Sequence, residues 1–387
     1  MDFQDGIMPP LRRFCAMIAS QEDTMRIAAI GLGGRSSGVY RDQIRRLCPE
    51  ARIVGLLDPD PQAVARLPED ERAAVQRVDD VDALIATRPD AVLVGTRCNL
   101  HARFGIELAR HRLPVYLEKP VATSLTDAIA LERAWGADDS RVVVSFPLRV
   151  TPLVVQAKRW LAEPTTGRIS HINAVNYVPY GAVYFETWYR DHATTQGLFL
   201  QKATHDFDYL AHLMGRPIVR VAAMALQGRV HQEASQRQGT GEPDVYYHTG
   251  VGTPESGMNE DCSSALIEFE GGVHGTYSQV FYARNGAAAR GATLCGQRAT
   301  IAFDWFTDRV RRIWHHQPTA EELLLKTANG HGGGDEALAQ NLIDMVRNGA
   351  PSVAPLRAGI ESVYACLAAK ESAATGHFVT VRRWGQS

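Results

Sequence analysis

From residue 26 onward, short β-branched apolar runs alternate with stretches in which apolar side chains recur every three or four positions. The runs cover residues 27–30, 53–57, 91–95, 115–117 and 142–145, and helical stretches at 39–47, 81–87, 102–111 and 124–135 lie between them. This rhythm predicts βαβ units in a parallel sheet. Right-handed crossovers then bring the strand C-termini to one edge, where open α/β sheets bind ligands. Past Arg149 the strands lengthen and recur without a helix after each, at 169–178, 219–226, 263–269, 272–281 and 300–304. Strands in succession predict a second, α+β domain with a large, mostly antiparallel open sheet. The polar, Gly- and Pro-rich stretch 228–260 reads as a long surface loop. Helices at 336–347 and 356–372 should close the structure. The fold class is therefore α/β, with a doubly wound parallel sheet over 25–148 and an α+β domain over 149–387 for substrate binding and oligomerisation.

Composition narrows the function classes. With 41 Lys plus Arg against 43 Asp plus Glu, the net charge of −2 leaves no positive excess for nucleic acid or anionic lipid. Six cysteines stand far apart without a C-x-x-C pair, which argues for reduced thiols rather than a disulfide or zinc framework. No apolar run approaches the roughly 20 residues that cross a bilayer. Residues 1–24 are expected to be a disordered extension; Arg12-Arg13 precede too short an apolar stretch for an export signal. The expected location is cytoplasmic.

The first strand runs into Gly31-Leu32-Gly33-Gly34-Arg35-Ser36. Gly31 permits a tight turn and Gly33 lets the backbone approach a pyrophosphate, whose charge meets the N–H groups at the helix start. Gly34 continues the turn, and Ser36 takes the place of a third glycine. Asp58 ends the second strand 22 residues after Ser36, the spacing at which a carboxylate accepts hydrogen bonds from the adenosine ribose. Its charge disfavours a 2′-phosphate, so NAD is expected over NADP, although Arg35 in the turn is a guanidinium suited to phosphate. Together these features predict a Rossmann dinucleotide site.

Glu118-Lys119-Pro120 follows the buried fourth run, where a lysine is costly unless paired or used to carry a proton. Gly95 to His101, with Thr96, Asn99 and His101, ends another strand. Arg149 opens the second domain, Lys202-Ala203-Thr204-His205-Asp206-Phe207-Asp208 follows, and His331-Gly332-Gly333-Gly334-Asp335 comes late. As an ordered set from Met25 on, these motifs resemble the glucose-fructose oxidoreductase and inositol dehydrogenase (Gfo/Idh/MocA) family. The resemblance implies NAD(P)-dependent redox chemistry on sugars or polyols, in homodimers or homotetramers formed through the C-terminal sheet. It also implies Lys119 near the nicotinamide, Glu118 on the cofactor ribose, Pro120 after a cis bond, Thr96, Asn99 and His101 beside the cofactor, and His205 as the catalytic histidine. Many family members carry an aspartate four residues before that histidine, where this chain has Gln201.

Helical spacing gives the same segment an apolar face of Leu200, Ala203, Phe207, Leu210 and Met214. Gln201, His205, Asp208 and His212 recur on another side, so Asp208 is expected to orient the His205 ring, with Lys202 as a cation for the imidazole or a substrate oxygen. Trp188 and Arg190, flanking Tyr189, offer a stacking surface and a hydrogen-bonding fork for a sugar, as does Arg149 for its oxygens. Residues 331–335 read as a turn with Asp335 capping the next helix, and no spacing demands a metal. The expected activity is dehydrogenation of a secondary alcohol on a sugar, polyol or glycoside. The competing readings are glycoside cleavage through an internal NAD redox cycle and a non-catalytic NAD(H)-binding regulator.

Overall fold

The computed structural model describes residues 24–233, 246–248, 257–326 and 331–386; the expected disordered extension falls outside them, apart from Thr24. The first sheet contains β1 (Arg26–Ile30), β2 (Arg52–Leu57), β3 (Gln76–Arg77), β4 (Ala91–Val94), β5 (Val115–Leu117) and β6 (Val142–Val144). They pair in parallel in the order β3-β2-β1-β4-β5-β6. Strands β1, β4, β5 and β6 are buried almost throughout, as helices on both faces require. Strand order reverses between β1 and β4, and that crevice is where such sheets take a ligand.

The second sheet has nine strands. They are β7 (Ile169–Tyr177), β8 (Ile218–Gln227), β11 (Glu260–Phe269), β12 (His274–Val280), β13 (Ala289–Gly296), β14 (Ala299–Asp304), β15 (Arg309–Trp314), β16 (Ala320–Leu324) and β17 (Val379–Thr380). Their order is β16-β15-β14-β13-β7-β12-β11-β8-β17, antiparallel except where β7 meets β12. Between β8 and β11, β9 (His231–Glu233) and β10 (Tyr246–His248) form a small parallel pair inside the stretch read as loop; residues 234–245 and 249–256 of that stretch lie outside the described residues.

Helices Pro152–Ala162, Thr204–Met214 and Leu356–Thr375 cover one face of this sheet. The last of these also packs on the first domain: a Cβ at Gly359 would stand 2.8 Å from Val121 and 3.1 Å from Val144. Glycine there lets the helix backbone approach β6 and seats the two domains against each other. Among the described residues no helix is long and apolar enough to cross a membrane.

Candidate active site

The glycine turn is built by steric necessity. Gly31 has φ +74, and a Cβ there would meet the Thr96 backbone nitrogen at 2.9 Å. The helix that follows starts at Gly34 with Gly33 as its N-cap. Ser36 donates through Oγ to the Gly31 carbonyl at 2.9 Å, and a Cβ at Gly95 would lie 2.3 Å from the Ser36 Cβ. The close helix-to-strand approach that a third glycine would permit is thus made from the strand side, by Gly95. Asp58 accepts from the Leu32 N–H at 2.6 Å and from the Asp60 N–H at 2.8 Å, which fixes the turn beside the end of β2. Arg66 donates to the Leu32 carbonyl at 3.1 Å and Arg77 to the Asp58 carbonyl at 3.2 Å.

A cavity of about 310 Å³ opens at the C-terminal edge of β4 and β5, between the domains. Lys119 reaches it from the end of β5, next to the cis bond to Pro120. His101 is buried and spans the carbonyls of Pro120 at 2.8 Å and Thr96 at 3.1 Å, tying the β4 and β5 loops together. The second domain supplies Lys202 and His205 from a helix that begins as a wide π-helical turn, Phe199–Ala203, before tightening into Thr204–Met214. Such a widened turn recurs at functional sites. The Lys119 amine donates to the Gln201 carbonyl within it at 2.7 Å. Lys202 lies 5.3 Å from the centroids of both Tyr180 and Tyr184, and Trp188 stacks on Tyr189. These rings give the cavity an aromatic wall.

The electrostatics are unusual for a protein interior. Burial, then the charge of Lys202, pushes the Lys119 amine down to about 7. Burial, then Arg290, pushes Lys202 down to about 7 as well. Burial and the nearby cations, Lys119 first, hold the His205 imidazole well below its ordinary value. Among the described residues its Nδ1 is buried without a hydrogen-bond partner, as is Oε1 of Gln201. The carboxylates nearby are engaged elsewhere, Glu118 with Arg35 at 3.1 Å and Asp206 with Arg290 at 3.0 Å. Two amines near neutrality and a neutral imidazole facing one cavity form an apparatus for moving a proton.

Residues 25–146 match the family described as "Oxidoreductase family, NAD-binding Rossmann fold", and residues 165–381 match "Oxidoreductase family, C-terminal alpha/beta domain". The chain belongs to the Gfo/Idh/MocA oxidoreductase family. Among its curated relatives is a Bacillus subtilis protein named as an oxidoreductase, YteT, 27% identical over 198 residues, 49% of this chain and 46% of the relative. Inositol 2-dehydrogenase 2 of Saccharopolyspora erythraea is 25% identical over 254 residues, 65% of each chain. The matches thus span about half to two thirds of the length of these relatives. A levoglucosan dehydrogenase solved with NADH and L-sorbose is 18% identical, with 94% of this chain and 100% of that chain covered at a TM-score of 0.77. That likeness shows the shared fold.

Within the Gfo/Idh/MocA frame, the structure brings Thr96, His101, Glu118, Lys119, Trp188, Lys202 and His205 to one cavity. It moves other expected residues elsewhere. Asp208 does not orient His205: it pairs with Arg149 at 3.3 Å in a separate cavity on the far side of the helix. Arg149 is buried there, donating to the Val353 carbonyl, and is not among the side chains lining the cavity that holds Lys119 and His205. Arg35 stays at the wall of the first cavity, where it makes a two-pronged contact with Asp335 and also reaches Glu118 and Ser145. Asp335 therefore serves as an ionic partner in the first turn of the helix Gly334–Asn348, whose N-cap is Gly333 with no side-chain cap. Asn99 is exposed, and neither it nor Arg190 is among the side chains lining the cavity. Sequence reasoning missed Tyr180, Tyr184 and Ser145 as cavity residues; the aromatic density of 177–189 was the available signal.

Proposed function

We propose that the protein is an NAD-dependent dehydrogenase that interconverts a secondary alcohol of a sugar, polyol or glycoside with its ketone. One observation carries the reading: Lys119 from the NAD-binding domain and Lys202 and His205 from the other domain converge on one cavity in which, among the described residues, the lining carboxylate Glu118 is already paired with Arg35. The residue 31–34 turn suits a pyrophosphate, Asp58 the adenosine ribose, and Thr96 and Glu118 the nicotinamide end. Bound there, NAD would supply a hydride acceptor. Lys119, half in its amine form near pH 7, takes the hydroxyl proton. His205 and Lys202 hydrogen-bond the substrate oxygens, and Gln201 Oε1 is open to accept from a neighbouring hydroxyl. The Tyr180, Tyr184 and Trp188 rings flank the substrate's apolar face. At about 310 Å³ the cavity suits a single ring rather than a chain. The open face of the nine-stranded sheet, where Met224 is 78% and Leu266 51% exposed, supports assembly into a homo-oligomer.

The test is nicotinamide absorbance on purified protein with NAD across inositols, aldoses, 1,5-anhydrosugars and glycosides. NADH should accumulate with at least one class. Lys119→Met and His205→Asn should lower turnover by about 10²–10⁴-fold while NAD affinity stays within severalfold. Full turnover in either variant overturns its role, and aglycone release without NADH overturns simple dehydrogenation.

A further inference from the structure

The late segment 331–335 is not explained by the machinery above. His331, Gly332 and Gly333 take three positive φ values in succession, 50, 62 and 82. Glycine adopts that region freely, but a residue with a Cβ does so rarely and only where its surroundings hold it. Gly334, next in line, presses on the turn that leads from the first domain: a Cβ there would lie 2.0 Å from the Pro147 carbonyl. This backbone places the His331 ring in the cavity wall, 6.0 Å centroid to centroid from His205.

His331 differs from His205 in what holds it. Its Nδ1 lies 3.0 Å from Oδ2 of Asp335, and that buried carboxylate is held well below the usual range by hydrogen bonds from Arg35 and His331. An ionised carboxylate only accepts, so Nδ1 carries the proton and Nε2 is left with its lone pair. Among the described residues His205 has no such partner on Nδ1. The two also differ in access, since the His331 side chain is 36% exposed and His205 is buried.

We infer that His331, with its ring set by Asp335, is the group through which the substrate's hydroxyl proton leaves the cavity. The inference rests on the dehydrogenase reading. In the oxidation direction NAD⁺, when bound, would supply the acceptor for the C–H electron pair as hydride, and the O–H proton goes to the Lys119 amine. From there it crosses His205 to Nε2 of His331 and then to water, leaving Asp335 ionised and every residue in its starting charge state. Arg35, Lys202 and His205 face His331 and oppose its charge, while Asp335 favours it. Burial and the cations outweigh the carboxylate, so the imidazole stays below its ordinary value and passes the proton on rather than keeping it. Asp335 is a positioning residue, fixed in turn by Arg35 from the NAD-binding domain.

Two measurements on the full chain test this. Nitrogen-15 NMR of the histidine rings reads the tautomer without any turnover: His331 should be protonated at Nδ1, and Asp335→Asn should remove that preference. His331→Asn keeps a side chain tolerant of the left-handed backbone. It should slow alcohol oxidation about 10-fold, raise the solvent deuterium isotope effect, recover with added imidazole and leave NAD affinity unchanged. An Nε2–H tautomer in the wild type, or an active enzyme whose His331→Asn variant keeps its rate, pH profile and isotope effect, overturns the exit route alone. A wild type silent on every alcohol overturns the dehydrogenase reading and the exit route with it.

Discussion

Two neighbouring residues on one helix meet the same problem with opposite outcomes. Asp206 and His205 are both buried, one turned to the core of the second domain and the other to the cavity. Asp206 accepts from two Arg290 nitrogens at 3.0–3.1 Å, from Asn176 at 3.0 Å and from the Tyr277 hydroxyl at 3.0 Å. His205, with Lys202 and Lys119 beside it, has no carboxylate partner among the described residues and is driven toward neutrality by burial and those cations. A buried charge with a full set of partners specifies architecture, whereas buried cations left to repel one another mark a place where a protonation state is being set. Arg290 joins the two regions, since it neutralises Asp206 and also lowers Lys202 and His205.

The largest effect should come from breaking the satisfied region. Asp206→Asn keeps the shape but turns an acceptor into a partial donor facing a guanidinium and a phenol. Leaving Arg290 buried and unpaired should destabilise the fold by about 3–5 kcal/mol in urea unfolding. A loss under about 1 kcal/mol would mean that water reaches Arg290 and that the contrast between the two regions is false.

The unsatisfied region should respond in the other direction. Lys202 has a folded pKa of about 7, below its ordinary value of 10.5. Its destabilising contribution is therefore complete below pH 7, shrinks as pH rises and is gone above the unfolded value. Lys202→Met should stabilise the protein by roughly 1–3 kcal/mol at pH 6, fading toward pH 10, while lowering turnover. Equal stability at pH 6 and pH 10 would show that Lys202 is solvated rather than confined.

Much of this contrast was legible in the chain. The apolar rhythm gave the parallel sheet, and motif order placed Lys119, Lys202 and His205 in one site. Strands β13, β15 and β16 escaped notice because Ala289–Gly296 is poor in β-branched residues, Arg309–Trp314 hides its apolar alternation among three arginines, and Ala320–Leu324 carries two glutamates. Helical spacing rightly put Asp208 one turn from His205 but could not reveal Arg149, whose competing charge comes from another element. The Arg35–Asp335 contact joins residues 300 positions apart, which no local pattern encodes. Side-chain direction was lost where long-range partners decide it.

The smallest effect separates the two causes of the lowered amine. If Lys119 takes the substrate proton, kcat/KM for alcohol oxidation should rise as pH passes through about 7, and the reverse reduction should fall over the same range. Burial is the leading cause of the Lys119 shift and the charge of Lys202 the second. Lys202→Met removes only the second, so the midpoint should move up by about half to one pH unit, or roughly 0.7–1.4 kcal/mol. Lys202→Arg makes the charge permanent and should hold the midpoint at or below its wild-type position. A midpoint unmoved by Met would assign the shift to burial alone. The cavity would then tune its base by excluding water, and the second lysine would be there only to hold a substrate oxygen.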